Sequence, residues 1–181
     1  AFSIPPASRK FDVPIMERTI KKSGTIGEAL VSPERTRMFV RQLNPKTSGL
    51  VMLNTQNVPI AWYPMPLDKM ALLRTGDTKT GAGKLIADLG RINPGALIAY
   101  SPHGNTPVLQ QAVKNLGSFA RHLDIRVLDA LTPATPAKAG VVSEPGELVS
   151  FAERGLDTSG DRVFKQSQPV YYSELRRQVA D

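Results

Sequence analysis

The amino-acid sequence predicts an α/β domain in which a mixed β-sheet is flanked by helices. Three features predict it. Segments with apolar residues at helical spacing alternate with short apolar runs of buried-strand length. Two of those runs, Leu50–Asn54 and Val58–Tyr63, flank the turn residues Gln56-Asn57 and form a hairpin early in the chain. The later runs are interleaved with helices, the pattern of a layered α/β domain. A length of 181 residues suffices for one such domain with tails. The boundaries fall at an extended N-terminal arm over 1–29, a domain over 30–156, and a tail or linker over 157–181.

Pro5, Pro6 and Pro14 keep the arm extended, with a short helical turn at Glu17–Lys22 ended by Ser23-Gly24. Ser32-Pro33-Glu34-Arg35 opens the first full helix. Ser32 caps it, Pro33 suits its first turn, and Glu34 meets the positive helix end. Met38, Phe39 and Leu43 give its apolar stripe, and Asn44-Pro45 stops it. After the hairpin, Pro64 and Pro66 interrupt pairing, and Met70–Arg74 is expected to be a further strand.

Thr80–Ile92 has helical spacing, with Leu85, Ile86, Leu89 and Ile92 on one side, and Asn93-Pro94-Gly95 closes it. Ala96–Tyr100 is an apolar strand. Thr106-Pro107 starts a longer helix with Val108, Leu109, Ala112, Val113, Leu116 and Phe119 on its inner face. Ile125–Leu128 is the next strand, and the Pro/Ala/Thr-rich stretch 132–139 is a loop. Val141-Val142 and Leu148-Val149 flank a turn at Glu144-Pro145-Gly146, followed by a helical turn over Ser150–Gly155. The chain carries no internal repeat.

Composition narrows the chemistry. Without cysteine there is no disulfide, thiolate metal site or cysteine nucleophile. The two histidines, His103 and His122, cap what imidazole chemistry is available. No apolar run reaches membrane-span length, and Ala1–Lys10 lacks the apolar core of a secretory signal, so a cytoplasmic location is expected. The first residue is not Met, which reads as processing or excision from a longer polypeptide. A formal charge of +7 attracts nucleic acid or an acidic protein. Arg35, Arg37, Arg41 and Lys46 cluster on or after the first helix, and Arg176-Arg177 lies in the tail. They form either a phosphate-tracking face or a solvated surface. Aromatic residues, at 6%, are too few to advertise base stacking. Trp62, Tyr63 and Tyr100 are the candidates, with a core role open for Trp62.

Gly76–Lys84 has the glycines and lysine of a phosphate loop at the wrong spacing, and Leu85 stands where Ser or Thr is required. Ser101, His103 and Asp129 are the raw material of a nucleophilic triad, without a local signature to support one. His122, at a helix end, reads as structural.

Five strings, in order, resemble the RadC-like branch of the JAB/MPN (JAMM) family. Ser32-Pro33-Glu34 and its helix resemble the opening of that domain. Val51–Asn57 (VMLNTQN) is similar to its first hairpin, V-L-F-L-D-T-Q-N. Gly95–Tyr100 resembles the strand that leads into the metal motif. Leu123–Leu131 (LDIRVLDAL) is similar to L-G-I-R-L-L-D-H, and Ser150–Leu156 (SFAERGL) matches the closing string. The Tyr-Ser-rich tail resembles joints in large phage and plasmid proteins that carry such modules.

The resemblance implies a cytidine deaminase-like sandwich. It also implies a zinc held by an H-x-H pair and an aspartate, with a glutamate on the first strand as general base. This chain departs from that set. Tyr100 and Pro102 occupy the histidine places, and Val113 the aspartate place. A shift of one residue brings Ser101, His103 and Lys114 instead. The glutamate maps near Lys46, and Ala130 stands where a histidine is usual. Proline offers no side-chain ligand atom, tyrosine is a poor replacement for imidazole on zinc, and lysine repels the cation.

The expectation is a degenerate pocket at Lys46, Tyr100, Ser101, Pro102 and His103, with no catalytic residue, no metal and no cofactor. His103 either contacts a ligand there or bonds to nearby backbone. The domain is then a binding or scaffold module, part of a larger mobile-element protein near DNA, with a protein or nucleic-acid partner and neither membrane nor small-molecule substrate. The alternative is a metal-dependent isopeptidase or nuclease with atypical ligands.

Overall fold

The computed structural model describes residues 29–73, 82–134 and 147–158. Residues 1–28 of the arm expected over 1–29, the loop beyond Ala134, Val141-Val142 and the tail with Arg176-Arg177 lie outside the described residues.

Helix α1 (Pro33–Leu43) begins as its sequence dictates. The Ser32 hydroxyl accepts from the Arg35 N–H at 3.2 Å, and Pro33 occupies the first turn. Asn44 ends the helix in the left-handed region (φ 47°), its N–H returning to the Val40 carbonyl. The inner face is Thr36, Phe39 and Val40, not the expected Met38, which is 55% exposed. Positions 38 and 39 are ~100° apart around a helix, so Phe39 and Val40 turn Met38 outward. Thr36 is buried at no polar cost because its hydroxyl donates to the Ser32 carbonyl at 3.0 Å.

Strands β1 (Gly49–Leu53) and β2 (Pro59–Pro64) form the hairpin. Asn54 shapes its turn, its side-chain oxygen accepting from the N–H groups of Gln56 and Val58. Asn57, at φ 62°, exchanges backbone and side-chain hydrogen bonds with Leu30 and ties the turn to the segment before α1. Of the strand expected at Met70–Arg74, Arg74 lies outside the described residues, and Met70 and Ala71 instead belong to a short helix, α2 (Leu67–Ala71). Pro66 precedes its first turn, and Met70 is buried.

Helix α3 (Ala82–Ile92) buries Leu85 and Leu89 and leads into β3 (Ala96–Tyr100). Thr106 caps α4 (Pro107–Arg121) by accepting from the Leu109 N–H at 3.2 Å. Val108, expected to face inward, is 51% exposed in the first turn of α4. Strand β4 (Arg126–Pro133) runs longer than expected and takes in Thr132 and Pro133. Strand β5 (Leu148–Ser150) closes the set.

The five strands form one mixed sheet in the order β2-β1-β3-β4-β5. Only β3 and β4 are parallel, joined through α4; the other neighbours are antiparallel. Both sheet faces are covered, so β1 and β3 are buried along their whole length. Leu50, Met52, Leu97 and Ala99 pack on one face with Leu85 and Leu89 of α3 and Leu109, Val113 and Leu116 of α4. Val51, Leu53, Ile98 and Tyr100 pack on the other with Phe39 and Val40 of α1 and Trp62.

Candidate functional site

Because β1 and β3 are antiparallel, Gly49 pairs with Tyr100. The Lys46–Ser48 segment and the Tyr100–Asn105 loop therefore leave the sheet at the same end. This topology gathers the five expected pocket residues at one edge of the fold, but their side chains do not converge into a reactive centre.

Tyr100 is 2% exposed and packs on the α1 face of the sheet. Burial raises its phenol pKa above the ordinary 10.0, because the phenolate would be poorly solvated there. Ser101 is fully buried and serves the backbone. Its N–H donates to the Leu131 carbonyl at 3.1 Å, its hydroxyl accepts from the His103 N–H at 3.3 Å, and its carbonyl accepts from the Thr132 hydroxyl at 2.8 Å. Pro102 is half-buried. His103 is exposed, and its ring makes no hydrogen bond to a described residue. Gly104 follows at φ 87°, a conformation that favours glycine, and turns the chain into the cap of α4. Lys46 is exposed, and among the described residues no ion pair holds it.

The two aspartate places diverge. Val113 is fully buried in the core, whereas Lys114 projects to solvent from α4. Among the described residues, no three His, Asp or Glu side chains are grouped so as to hold a metal ion. His122 lies at the C-terminal end of α4, its Nδ1 at 2.9 Å from the Ser118 carbonyl, a helix-end contact.

Asp129 does not meet Ser101 and His103 as a triad. The β3–β4 register slips between Leu97 and Ile98, so that Leu97 pairs with Val127 and Ile98 with Asp129. The fully buried Asp129 carboxylate is engaged toward β5. One oxygen accepts from the N–H groups of Ala130 (2.7 Å) and Ala152 (2.9 Å), and the other accepts from the Ser150 hydroxyl at 2.6 Å. Ser150 also accepts from the Glu153 N–H at 3.2 Å. This clamp locks β4, β5 and the turn after β5 together. The Ser-x-x-Glu spacing in Ser150–Glu153 is the local trace it leaves in the sequence.

A second buried pair escapes sequence reading altogether. The Tyr63 hydroxyl donates to Asp88 at 2.6 Å and pins β2 to α3. Trp62 is a core residue on the α1 face, so neither it, Tyr63 nor Tyr100 is presented for stacking.

The basic residues of α1 separate into two kinds. Arg37 is half-buried and donates to Glu153 at 2.7 Å, holding α1 against the turn after β5. Arg35 and Arg41 are exposed and unpaired among the described residues. A groove of about 400 Å³ lies at the N-terminal end of α1, lined by Val31, Ser32, Pro33, Glu34, Arg35 and Glu153. It is distant in sequence from the end of β3. Among the described residues, no helix is long and apolar enough to cross a membrane.

Comparison with protein-family models, curated proteins and solved structures found no match to this chain.

Proposed function

We propose that the chain carries a RadC-like JAB/MPN domain with a degenerate zinc centre, acting as a binding module in a larger mobile-element protein on or near DNA. Support for the family comes from the five resembling strings and where they fall. The Ser-Pro-Glu string opens α1, VMLNTQN spans the end of β1 and the hairpin turn, and Gly95–Tyr100 contains β3. LDIRVLDAL runs into β4, and SFAERGL spans the end of β5 and its turn. The order of these strings along the chain supports the reading, and the mixed sheet flanked by helices is compatible with that architecture.

The observation that carries the functional reading is the chemistry at the end of β3. A hydrolytic JAMM centre needs two imidazoles, an aspartate and a general base around one water. Here the corresponding positions carry a phenol turned into the core, a proline, a core valine and an exposed lysine. The one-residue shift replaces them with a serine consumed by backbone contacts, an exposed histidine and an exposed lysine. Neither set supplies three ligands and a base.

The test is elemental analysis of the purified full chain after zinc loading and exhaustive dialysis. It is paired with cleavage assays on isopeptide-linked and DNA substrates. The expected outcome is zinc far below one ion per chain and no cleavage that a chelator abolishes. Stoichiometric zinc with chelator-sensitive hydrolysis would establish the atypical metalloenzyme instead.

A further inference from the structure

The solvent face of α1 has a composition that its own fold does not explain. Glu34, Arg35, Met38, Arg41 and Gln42 are its exposed residues. Met38 is the most exposed large apolar side chain among the described residues. Arg35 and Arg41 stand three positions to either side of it. At ~1.5 Å rise per residue, the three form an oblique stripe ~9 Å long with the methionine at its centre. Lys46, also exposed, follows the helix three residues after its end.

Three of these features go against the isolated domain. Arg35 lies in the first helical turn, where the helix dipole disfavours a cation. Neither Arg35, Arg41 nor Lys46 finds a carboxylate among the described residues, whereas neighbouring Arg37 does. Met38 leaves its side chain in water while Phe39 and Val40 beside it are buried. The groove at the N-terminal end of α1 is lined by the carboxylates of Glu34 and Glu153, so an anionic ligand is directed along the arginine stripe and away from the groove.

We infer that this face of α1 docks an acidic segment of a partner protein, one that sets an apolar side chain on Met38 between carboxylates that meet Arg35 and Arg41. The inference rests on the binding-module reading and names the chemistry of the partner. Charge complementarity selects an acidic partner. Methionine and arginine are among the residues enriched in protein interfaces, where buried apolar anchors are ringed by polar contacts. A phosphate backbone is the poorer fit. It would gain from the arginines but leaves Met38 nothing to cover it, and a duplex-tracking face relies on cations.

The experiment is selection of a random peptide library displayed on phage against the purified full chain. Selected peptides are then resynthesised with a fluorophore and titrated by anisotropy. The expected result is enrichment of net-negative peptides with a large apolar residue between acidic ones. Their affinity should fall about tenfold or more in the Arg35→Glu/Arg41→Glu double variant and severalfold in Met38→Ala. All three positions are exposed, so thermal melting of each variant should match the parent and shows that the chain still folds.

Selected peptides without negative charge, or affinities unmoved by the charge reversal, overturn the inference. So does a parallel titration in which a short DNA duplex binds through Arg35 and Arg41 while no acidic peptide is recovered. Peptide selection does not depend on zinc, so a failure here is distinguishable from the zinc-loading result that would sink the binding-module reading.

Discussion

At the scale of single residues, the most demanding position is Gly49, first residue of β1. A β-carbon built there would lie 2.6 Å from the Trp62 ring and 2.6 Å from the Tyr63 carbonyl oxygen. One obstacle is a packed indole and the other is backbone of the paired strand, so neither swings aside cheaply. Gly49 has no positive φ, and the need for glycine is purely one of space. Gly49→Ala is therefore expected to cost about 1–3 kcal/mol or more through overpacking. The midpoint of urea unfolding, at unchanged slope, reads that loss. A variant as stable as the parent would mean that Trp62 does not stack over Gly49. Gly49 also lies opposite Tyr100, so the strain would fall at the same end of the sheet as the expected pocket.

At the scale of elements, the Asp129 clamp joins pieces that local sequence leaves separate. Asp129→Ala removes the buried acceptor of the Ala130 and Ala152 N–H groups and of the Ser150 hydroxyl. At about 1–3 kcal/mol for each buried group left unpaired, the expected loss is about 3 kcal/mol or more. Ser150→Ala should cost less, because the carboxylate keeps two backbone donors. Asp129→Asn should be milder than alanine, since an amide oxygen still accepts from those N–H groups and the shape is kept. The double variant Asp129→Ala/Ser150→Ala should lose less than the sum of the singles, because both remove the same bond. Chemical denaturation of the parent and the four variants tests this, and strict additivity would dissolve the clamp as a unit.

The same scale shows why some elements were legible in the sequence and others were not. Helices α1 and α4 announced themselves through Ser32-Pro33 and Thr106-Pro107, because a side-chain cap and a first-turn proline are local chemistry. The hairpin was legible for the same reason, through Asn54 and Asn57. Met70–Arg74 was not, because a short apolar run carries too few residues to separate a helical turn from a strand. Periodicity points Met38 and Val108 inward, yet which neighbour wins the core depends on what packs opposite. The grouping of Lys46 with Tyr100–His103 is implied by the family resemblance alone; no local pattern signals that β1 pairs with β3. The engagement of Asp129 toward Ser150 was not legible either, because it accompanies a one-residue register slip between two strands far apart in sequence.

At the scale of the whole molecule, two apolar clusters share one sheet, and their connection governs how the domain unfolds. Leu50 and Met52 face one cluster, while Val51 and Leu53, alternating with them on β1, face the other. Losing either cluster exposes one face of a strand whose opposite face is still packed, so neither half is a stable remainder. The single tryptophan, Trp62, reports on the α1 face. The α3 and α4 helices on the other face, together with α1 and α2, dominate the far-ultraviolet circular dichroism of the described elements. Tryptophan fluorescence and circular dichroism should consequently trace one coincident transition with denaturant. The alternative is concrete: α1 could detach first, carrying with it the proposed docking face and the Arg37–Glu153 link. That sequence of events would move the fluorescence midpoint below the dichroism midpoint. Arg37→Ala should then widen the gap, because the link would be the tether that fails first. If the two probes coincide in the parent, the same substitution should shift both together and by a small amount, about 0–1 kcal/mol, because Glu153 is largely exposed.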